Sequence, residues 1–182
     1  ASVPPLVFAA FQATFAIITV ALISGAIADR AKFGAWMVFA GVWATLVYFP
    51  VASWIFNFTV VDGEMVNGGW LVYNVGVLDF AGGTAVEINS GAAALALALV
   101  LGKRIGFAKG IHKPHNVPFV LLGAGLLWFG WFGFNAGSAI AADGIAAIAL
   151  INTMAAGTTG IIGWLIIERI KDGKATSVGA AS

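Results

Sequence analysis

The sequence predicts an all-α polytopic membrane protein with five transmembrane helices. Three observations lead there. Hydrophobic residues make up 60% of the 182-residue chain and charged residues 9%, against about 25% charged in an ordinary soluble domain, and the mean hydropathy is +0.98. The apolar residues gather into five runs of about 20 residues, the length that crosses a ~30 Å hydrocarbon core at about 1.5 Å per residue. All nine Lys and Arg fall into three clusters, each separated from the next by two such runs: Arg30 and Lys32; Lys103, Arg104, Lys109 and Lys113; Arg169, Lys171 and Lys174. Basic loops stay on the cytoplasmic side of a membrane, so this sorting orients the chain as well as classifying it. The opposite side holds Asp62, Glu64 and Asp143 and no basic residue.

The spans follow in order. Residues 5–28 form the first, entered through Val3-Pro4-Pro5, and the tight turn Asp29-Arg30-Ala31-Lys32 leads to the second, residues 33–56. Residues 57–78 form an external loop with turn chemistry at Asp62-Gly63 and Asn67-Gly68-Gly69. The third span covers residues 80–101, and residues 102–116 form the main cytoplasmic loop. The fourth span, residues 117–140, is joined by Ala141-Ala142-Asp143-Gly144 to the fifth, residues 144–167. Helices satisfy their own backbone groups, as hydrocarbon demands, and runs apolar on every side do not fit the alternation of barrel strands. The 24 glycines suit close helix packing in lipid. Trp54, Trp70, Tyr73 and Trp164 sit near span ends, where interfacial aromatics gather. The whole chain reads as one integral membrane domain. With no initiator Met, no signal-peptide layout and a small-residue run at Gly179-Ala180-Ala181-Ser182, it reads as an internal piece of a larger protein.

Function classes narrow quickly. A net charge of +1 gives no electrostatic footprint for nucleic acid, and zero cysteines exclude a disulfide framework and thiol metal sites. His112 and His115 flank Pro114 in a basic loop without an acid beside them, so they read as loop structure rather than metal ligands. No phosphate loop, nucleophile constellation or dinucleotide fingerprint occurs. Neither a metal nor a cofactor is expected, and the chain does not read as an enzyme.

The informative positions are polar groups within the apolar helices. Glu87 lies about a third of the way into the third span. An acid at that depth costs about 2.5–3.5 kcal/mol on insertion scales, and so marks a cavity or path unless it is a protonated structural carboxyl bonded to a neighbouring helix. Asp79 opens the same span, where a carboxylate can cap free N–H groups and add negative potential. Phe11 and Phe15 share a face of the first span, as do Trp131, Phe134 and Ser138 on the fourth. Aromatic faces attract cations and stacked rings can close a narrow pore, though such a stripe is also ordinary packing. Gly130, Gly133 and Gly137 run beside the second stripe.

At Phe11-Gln-Ala-Thr-Phe15-Ala, Leu78-Asp79-Phe80-Ala81-Gly82-Gly83-Thr84, Gly102-Lys-Arg-Ile-Gly106-Phe107, Lys113-Pro-His-Asn116 and Gly130-Trp-Phe-Gly-Phe-Asn-Ala-Gly-Ser138, the chain resembles the ammonium transporter family, which takes in methylammonium permeases and Rhesus proteins. The resemblance runs from near residue 5 to residue 182. It implies the third to seventh helices of an eleven-helix protomer made of two inverted five-helix repeats. It also implies a homotrimer with one pore per protomer in the plasma membrane, and a trimeric signal protein of the PII type as partner at the cytoplasmic loop, whose basic surface would equally suit anionic lipid.

Residue by residue, the resemblance implies an outer recruitment site at Phe15 and Ser138, supported by Asp79, above a gate of Phe15 and Phe134. Phe11 shares the face of Phe15, and Trp131 packs behind the gate. Two positions depart from the family pattern. Phe56 stands where a Trp usually completes the recruitment site, with Trp54 two residues earlier as the alternative occupant; Trp is the stronger cation–π partner. Glu87, in Gly82-Gly-Thr-Ala-Val-Glu87-Ile-Asn89, stands where the first of two pore histidines usually does, as in some other members. The function implied is passage of ammonium or ammonia through an apolar pore with Glu87 handling proton or charge. The alternatives are a Rhesus-like channel for gas or neutral solute, and an ammonium sensor built on the same fold.

Overall fold

The computed structural model describes residues 3–62, 64–109 and 114–182. His112 and Lys113, named above as loop and cluster residues, lie outside the described residues. Among the described residues, five helices are long and apolar enough to cross a membrane: α1 (Pro5–Ile27), α2 (Phe33–Phe56), α4 (Gly83–Leu101), α5 (Val117–Gly137) and α6 (Gly144–Asp172). The other elements are short: an antiparallel ribbon of β1 (Thr59–Val61) and β2 (Glu64–Asn67), the helices α3 (Trp70–Tyr73) and α7 (Ser177–Ala181), and a 3-10 turn at Phe107–Lys109. Apolar side chains such as Leu6, Ile17, Phe33, Val38, Leu95 and Phe129 cover the outer helix faces, which suits a hydrocarbon surround and not water.

The chain divides into two compact units, Pro4–Gly110 and Ile111–Ser182 with Ala1–Val3. In the first, α1 packs along α4 and against a wide helical turn in α2. The buried side chains of this unit are Phe15, Thr19 and Ile23 of α1, Trp43, Tyr48 and Ile55 of α2, and Ala85, Val86 and Ser90 of α4. The small residues Ser90, Gly91 and Ala92 of α4 let the two backbones approach.

Two stretches of this unit widen from an α to a π turn, Ala44–Tyr48 in α2 and Gly83–Ile88 at the start of α4. The first precedes Pro50, which has no N–H to donate and whose ring crowds the carbonyl four residues back, so the ladder re-forms with one extra residue per turn. The second follows the carboxylate of Asp79, which takes up the first amides of the helix. For that reason α4 begins at Gly83, later than the apolar run that starts at residue 80.

The inter-helix turn after α1 is tied to the end of α4. Arg30 Nη1 donates to Ala98 O at 3.3 Å and to Gly102 O, satisfying carbonyls that a helix C-terminus leaves without partners. Arg104 pairs with Asp29 at 3.6 Å, a surface contact that contributes about 0–1 kcal/mol. The external loop is more ordered than turn chemistry alone predicts. Gly69 lies directly on the backbone of Trp54 and Ile55, where any Cβ would collide, and the Trp70 ring lies 5.8 Å from that of Trp54.

In the second unit α5 and α6 pack as an antiparallel pair closed by α7. Asn116, Asp143 and Thr176 cap α5, α6 and α7 by accepting from Phe119 N, Ala146 N and Gly179 N. Trp128 nests against Gly157, where a Cβ would lie 2.7 Å from the indole nitrogen. Asn135 Nδ2 donates to Thr153 Oγ1 at 2.9 Å, joining the two helices in their apolar interior. The helix of α5 stops at Gly137, short of residue 140, in tight turns that end with Ile140 at φ 53°. Conversely α6 runs past residue 167 to Asp172, because Glu168, Arg169 and Lys171 continue it as good helix formers, with the basic pair complementing the negative end of the dipole.

Candidate functional site

Each unit carries its own share of the residues singled out in the sequence. In Pro4–Gly110, Phe15 is 4% exposed on the inner face of α1 and Phe11 meets it edge-on, with ring centroids 4.8 Å apart and planes at 78°. This T-shaped contact holds the Phe15 ring in one orientation. Phe56 ends α2, half-buried, with Phe58 edge-on at 6.3 Å. Trp54, the alternative occupant of that position, is instead 41% exposed and meets Trp70 of the external loop.

Asp79 acts on backbone. Its Oδ1 accepts from Gly82 N at 2.7 Å, and its Oδ2 accepts from Thr84 N at 2.8 Å and Ala85 N at 3.3 Å. Three amides around one carboxylate leave it little capacity for a guest, so it contributes negative potential rather than a ligand atom. Gly82 makes the cap possible: its φ of 135° lies where side chains are rarely tolerated.

Glu87 is the opposite case. It stands in the wide turn of α4, and both carboxyl oxygens are buried without a hydrogen-bond partner among the described residues. Leaving such a group unmade is costly in a low-dielectric interior.

In Ile111–Ser182, Trp131 stacks on Phe134 with centroids 4.6 Å apart and planes at 7°. Phe134 is buried, and its carbonyl accepts from the Ser138 hydroxyl at 2.7 Å. Ser138 sits at the C-cap of α5, one residue beyond the helix. With its hydrogen committed to Phe134, the hydroxyl oxygen presents lone pairs to an approaching donor.

The residues missed in the sequence are hydroxyls. Thr19 is fully buried one turn below Phe15 and donates to Phe15 O at 2.6 Å. Tyr48 is 4% exposed in the wide turn of α2. Thr19 was legible in principle, since it extends the Phe11, Phe15 stripe by four residues. Among the described residues no group of three metal-ligating side chains occurs.

Comparison with known proteins agrees with this arrangement of helices. A family model described as Ammonium Transporter Family matches residues 1–182. An ammonium transporter of Mycobacterium bovis is 60% identical over 181 residues, covering 100% of this chain and 38% of the relative. An ammonium transporter of Bacillus subtilis is 49% identical over 182 residues, covering 100% and 42%. Among solved structures, Mep2 of Saccharomyces cerevisiae superposes with a TM-score of 0.84 at 41% identity, over 99% of this chain and 38% of that one. Mep2 of Candida albicans gives 0.82 at 38% identity, with 99% and 38% covered. The chain thus spans about two fifths of the length of the relatives it matches. It is a multi-pass membrane chain, and it belongs to the ammonium transporter family.

Proposed function

We propose that the intact protein carries ammonium nitrogen across the cell (plasma) membrane. The observation that carries this reading is the Glu87 carboxyl, unpartnered inside a span of a chain that belongs to the ammonium transporter family. A buried acid without a partner is retained for something that passes it.

In this proposal the cation is drawn in from outside by the ring faces of Phe15 and Phe56, and donates an N–H to the Ser138 oxygen. Phe56 in place of Trp makes the aromatic attraction weaker. Asp79 adds negative potential from behind its three amides. The rings of Phe15 and Phe134 form the gate that strips water, each held by its neighbour, Phe11 edge-on and Trp131 face-on. Beyond it Glu87 takes one proton from ammonium: the carboxylate becomes a carboxylic acid, and neutral ammonia continues along an apolar path.

The proposal extends to the assembly: a homotrimer, with the Lys and Arg clusters on the cytoplasmic face and a PII-type signal protein docking there. The Asp29–Arg104 pair and the Arg30 contacts with Ala98 and Gly102 support a common side for the first two clusters. Reconstituted in vesicles, the intact protein is expected to pass ammonium. Glu87→Leu is expected to change the rate or the ammonium/potassium preference. If both stay at wild-type values, Glu87 has no part in the path.

A further inference from the structure

The chain leaves α5 later than its sequence invites. A helix commonly stops at a residue in the left-handed region, which glycine enters at no steric cost. Gly137 could serve, yet it stays helical, and the left-handed residue is Ile140, at φ 53°. For a β-branched side chain that conformation is an outlier; it costs free energy and persists only where the surroundings over-determine it. Asp29 and Asp62, the other non-glycine residues with positive φ among the described residues, are of the short polar type that tolerates it.

What the late stop secures is legible in the last four carbonyls of α5, which have no partners within the helix. Phe134 O accepts from the Ser138 hydroxyl at 2.7 Å, and Asn135 O from Ser138 N at 3.3 Å. Ala136 O accepts from Ala139 N at 3.2 Å, and Gly137 O from Ile140 N at 3.0 Å. Each of these three amides reaches back three residues, a tightened turn. Within it Ser138 keeps helical angles, φ -67° and ψ -14°, from which a serine hydroxyl bonds the carbonyl four residues back. With Gly137 as the left-handed residue, Ser138 would leave the helix and its hydroxyl would lose Phe134 O.

We infer that Ile140 is a positioning residue of the outer recruitment site. Its left-handed turn carries α5 past Gly137 and so keeps the Ser138 hydrogen on Phe134 O. The serine oxygen then meets an arriving ion as an acceptor, with its one hydrogen already spent. A hydroxyl released from the helix would be free to turn that hydrogen toward a cation, which repels it. The same bond ties the recruitment hydroxyl to the backbone of the gate residue. The inference rests on the transport reading, and it names a residue to which that reading gives no part. Ile140 acts through Ser138, by its backbone conformation and not by its side chain.

The test uses the intact protein in vesicles, with ammonium flux measured against concentration. Ile140→Pro cannot turn left-handed and has no N–H for Gly137 O. It is expected to raise the half-saturating concentration about tenfold, the equivalent of about 1.4 kcal/mol, with maximal flux within about twofold of wild type. Ile140→Asn accepts the left-handed conformation and keeps the wild-type half-saturation although its apolar side chain is gone. A merely packing role predicts the reverse order for these two variants. Ser138→Ala raises the half-saturation as Ile140→Pro does, and the double variant goes no further. A second readout, independent of flux, is the carbonyl carbon shift of Phe134 by solid-state NMR in lipid. That shift moves in Ser138→Ala and Ile140→Pro and stays in Ile140→Asn. Wild-type half-saturation in Ile140→Pro overturns the inference, as does a rise in Ile140→Asn or an additive double variant. If Ile140→Pro does not fold, the Phe134 shift decides: a shift that stays in Ser138→Ala or moves in Ile140→Asn overturns the inference. If the wild type passes no ammonium, the transport reading fails, and the hold of Ile140 on Ser138 stands or falls on the same shift.

Discussion

Replacing Asp79 by asparagine keeps the shape of the side chain and changes what it can accept. In the native chain Oδ1 serves Gly82 N, and Oδ2 serves Thr84 N and Ala85 N, at 2.7, 2.8 and 3.3 Å. The amide of asparagine has one oxygen. Whichever way it turns, its NH2 faces a backbone donor across less than 3 Å on the other side, donor against donor. A hydrogen bond to a charged group contributes about 1.5–3 kcal/mol, and an anion at a helix start a further ~0.3–1 kcal/mol. Losing one such bond together with the charge therefore costs about 2–4 kcal/mol, or roughly 30- to 900-fold in the local opening equilibrium. Hydrogen exchange on the intact protein in lipid nanodiscs reads this directly. Amides of residues 82–86 should exchange faster by that factor, while those in the middle of α1 stay unchanged. Exchange at 82–86 within about threefold of wild type, under ~0.7 kcal/mol, would refute the claim that this carboxylate builds the start of α4.

Three further outcomes follow from packing. Gly69→Ala drives a Cβ into the backbone of Trp54 and Ile55; the external loop should detach from the end of α2, seen as new protease cleavage within residues 57–78. Thr153→Val removes the acceptor of Asn135 and should destabilise the protein by about 0.6–1.7 kcal/mol, the range of interhelical hydrogen bonds in lipid, in detergent-titrated unfolding, whereas Thr153→Ser stays near wild type. Arg30→Ala strips a charged donor from the carbonyls of Ala98 and Gly102. The last turn of α4 should fray by about 1.5–3 kcal/mol, measured as faster exchange at residues 99–102.

The helices were legible because hydrocarbon imposes a crude rule, about 20 apolar residues per crossing, which Phe33–Phe56 obeys end to end. Their ends were less legible, since capping works at the level of single atoms. A cap at Asp79 was legible, but not that it would take the amides at 82, 84 and 85 and that the helix would begin only at Gly83. Arg169 and Lys171 did not mark the end of α6, because a helix that leaves the membrane can continue in water as far as its residues favour it. In the candidate site, the aromatic spacings Phe11/Phe15 and Trp131/Phe134 did become ring contacts. Periodicity fixes which face a ring occupies, and at spacings of three or four that suffices. The fold of residues 57–78 onto Trp54 was hidden, because it depends on Gly69 having no side chain at one point of close approach.

Tyr48 shows why a period alone misses a residue of this kind. From the buried Trp43, a regular helix turning about 100° per residue brings residues 46, 47, 50 and 54 back to the inner face and turns residue 48 away. The wide turn over Ala44–Tyr48 spends one more residue per revolution. Five residues then complete about one turn, so Tyr48 falls under Trp43, and Ile55, seven residues on in regular helix, falls under Tyr48; all three are buried. The phase of half a span is reset by one position. The trigger is Pro50, visible in the sequence, but its effect lies upstream of it, in the turn whose ladder it cannot join. Asp79 resets α4 in the corresponding way by withholding amides from the first turn. Tyr48 and Glu87 therefore both sit where a span departs from the regular helix, and the departures, more than the apolar runs, decide that this hydroxyl and this carboxyl are buried.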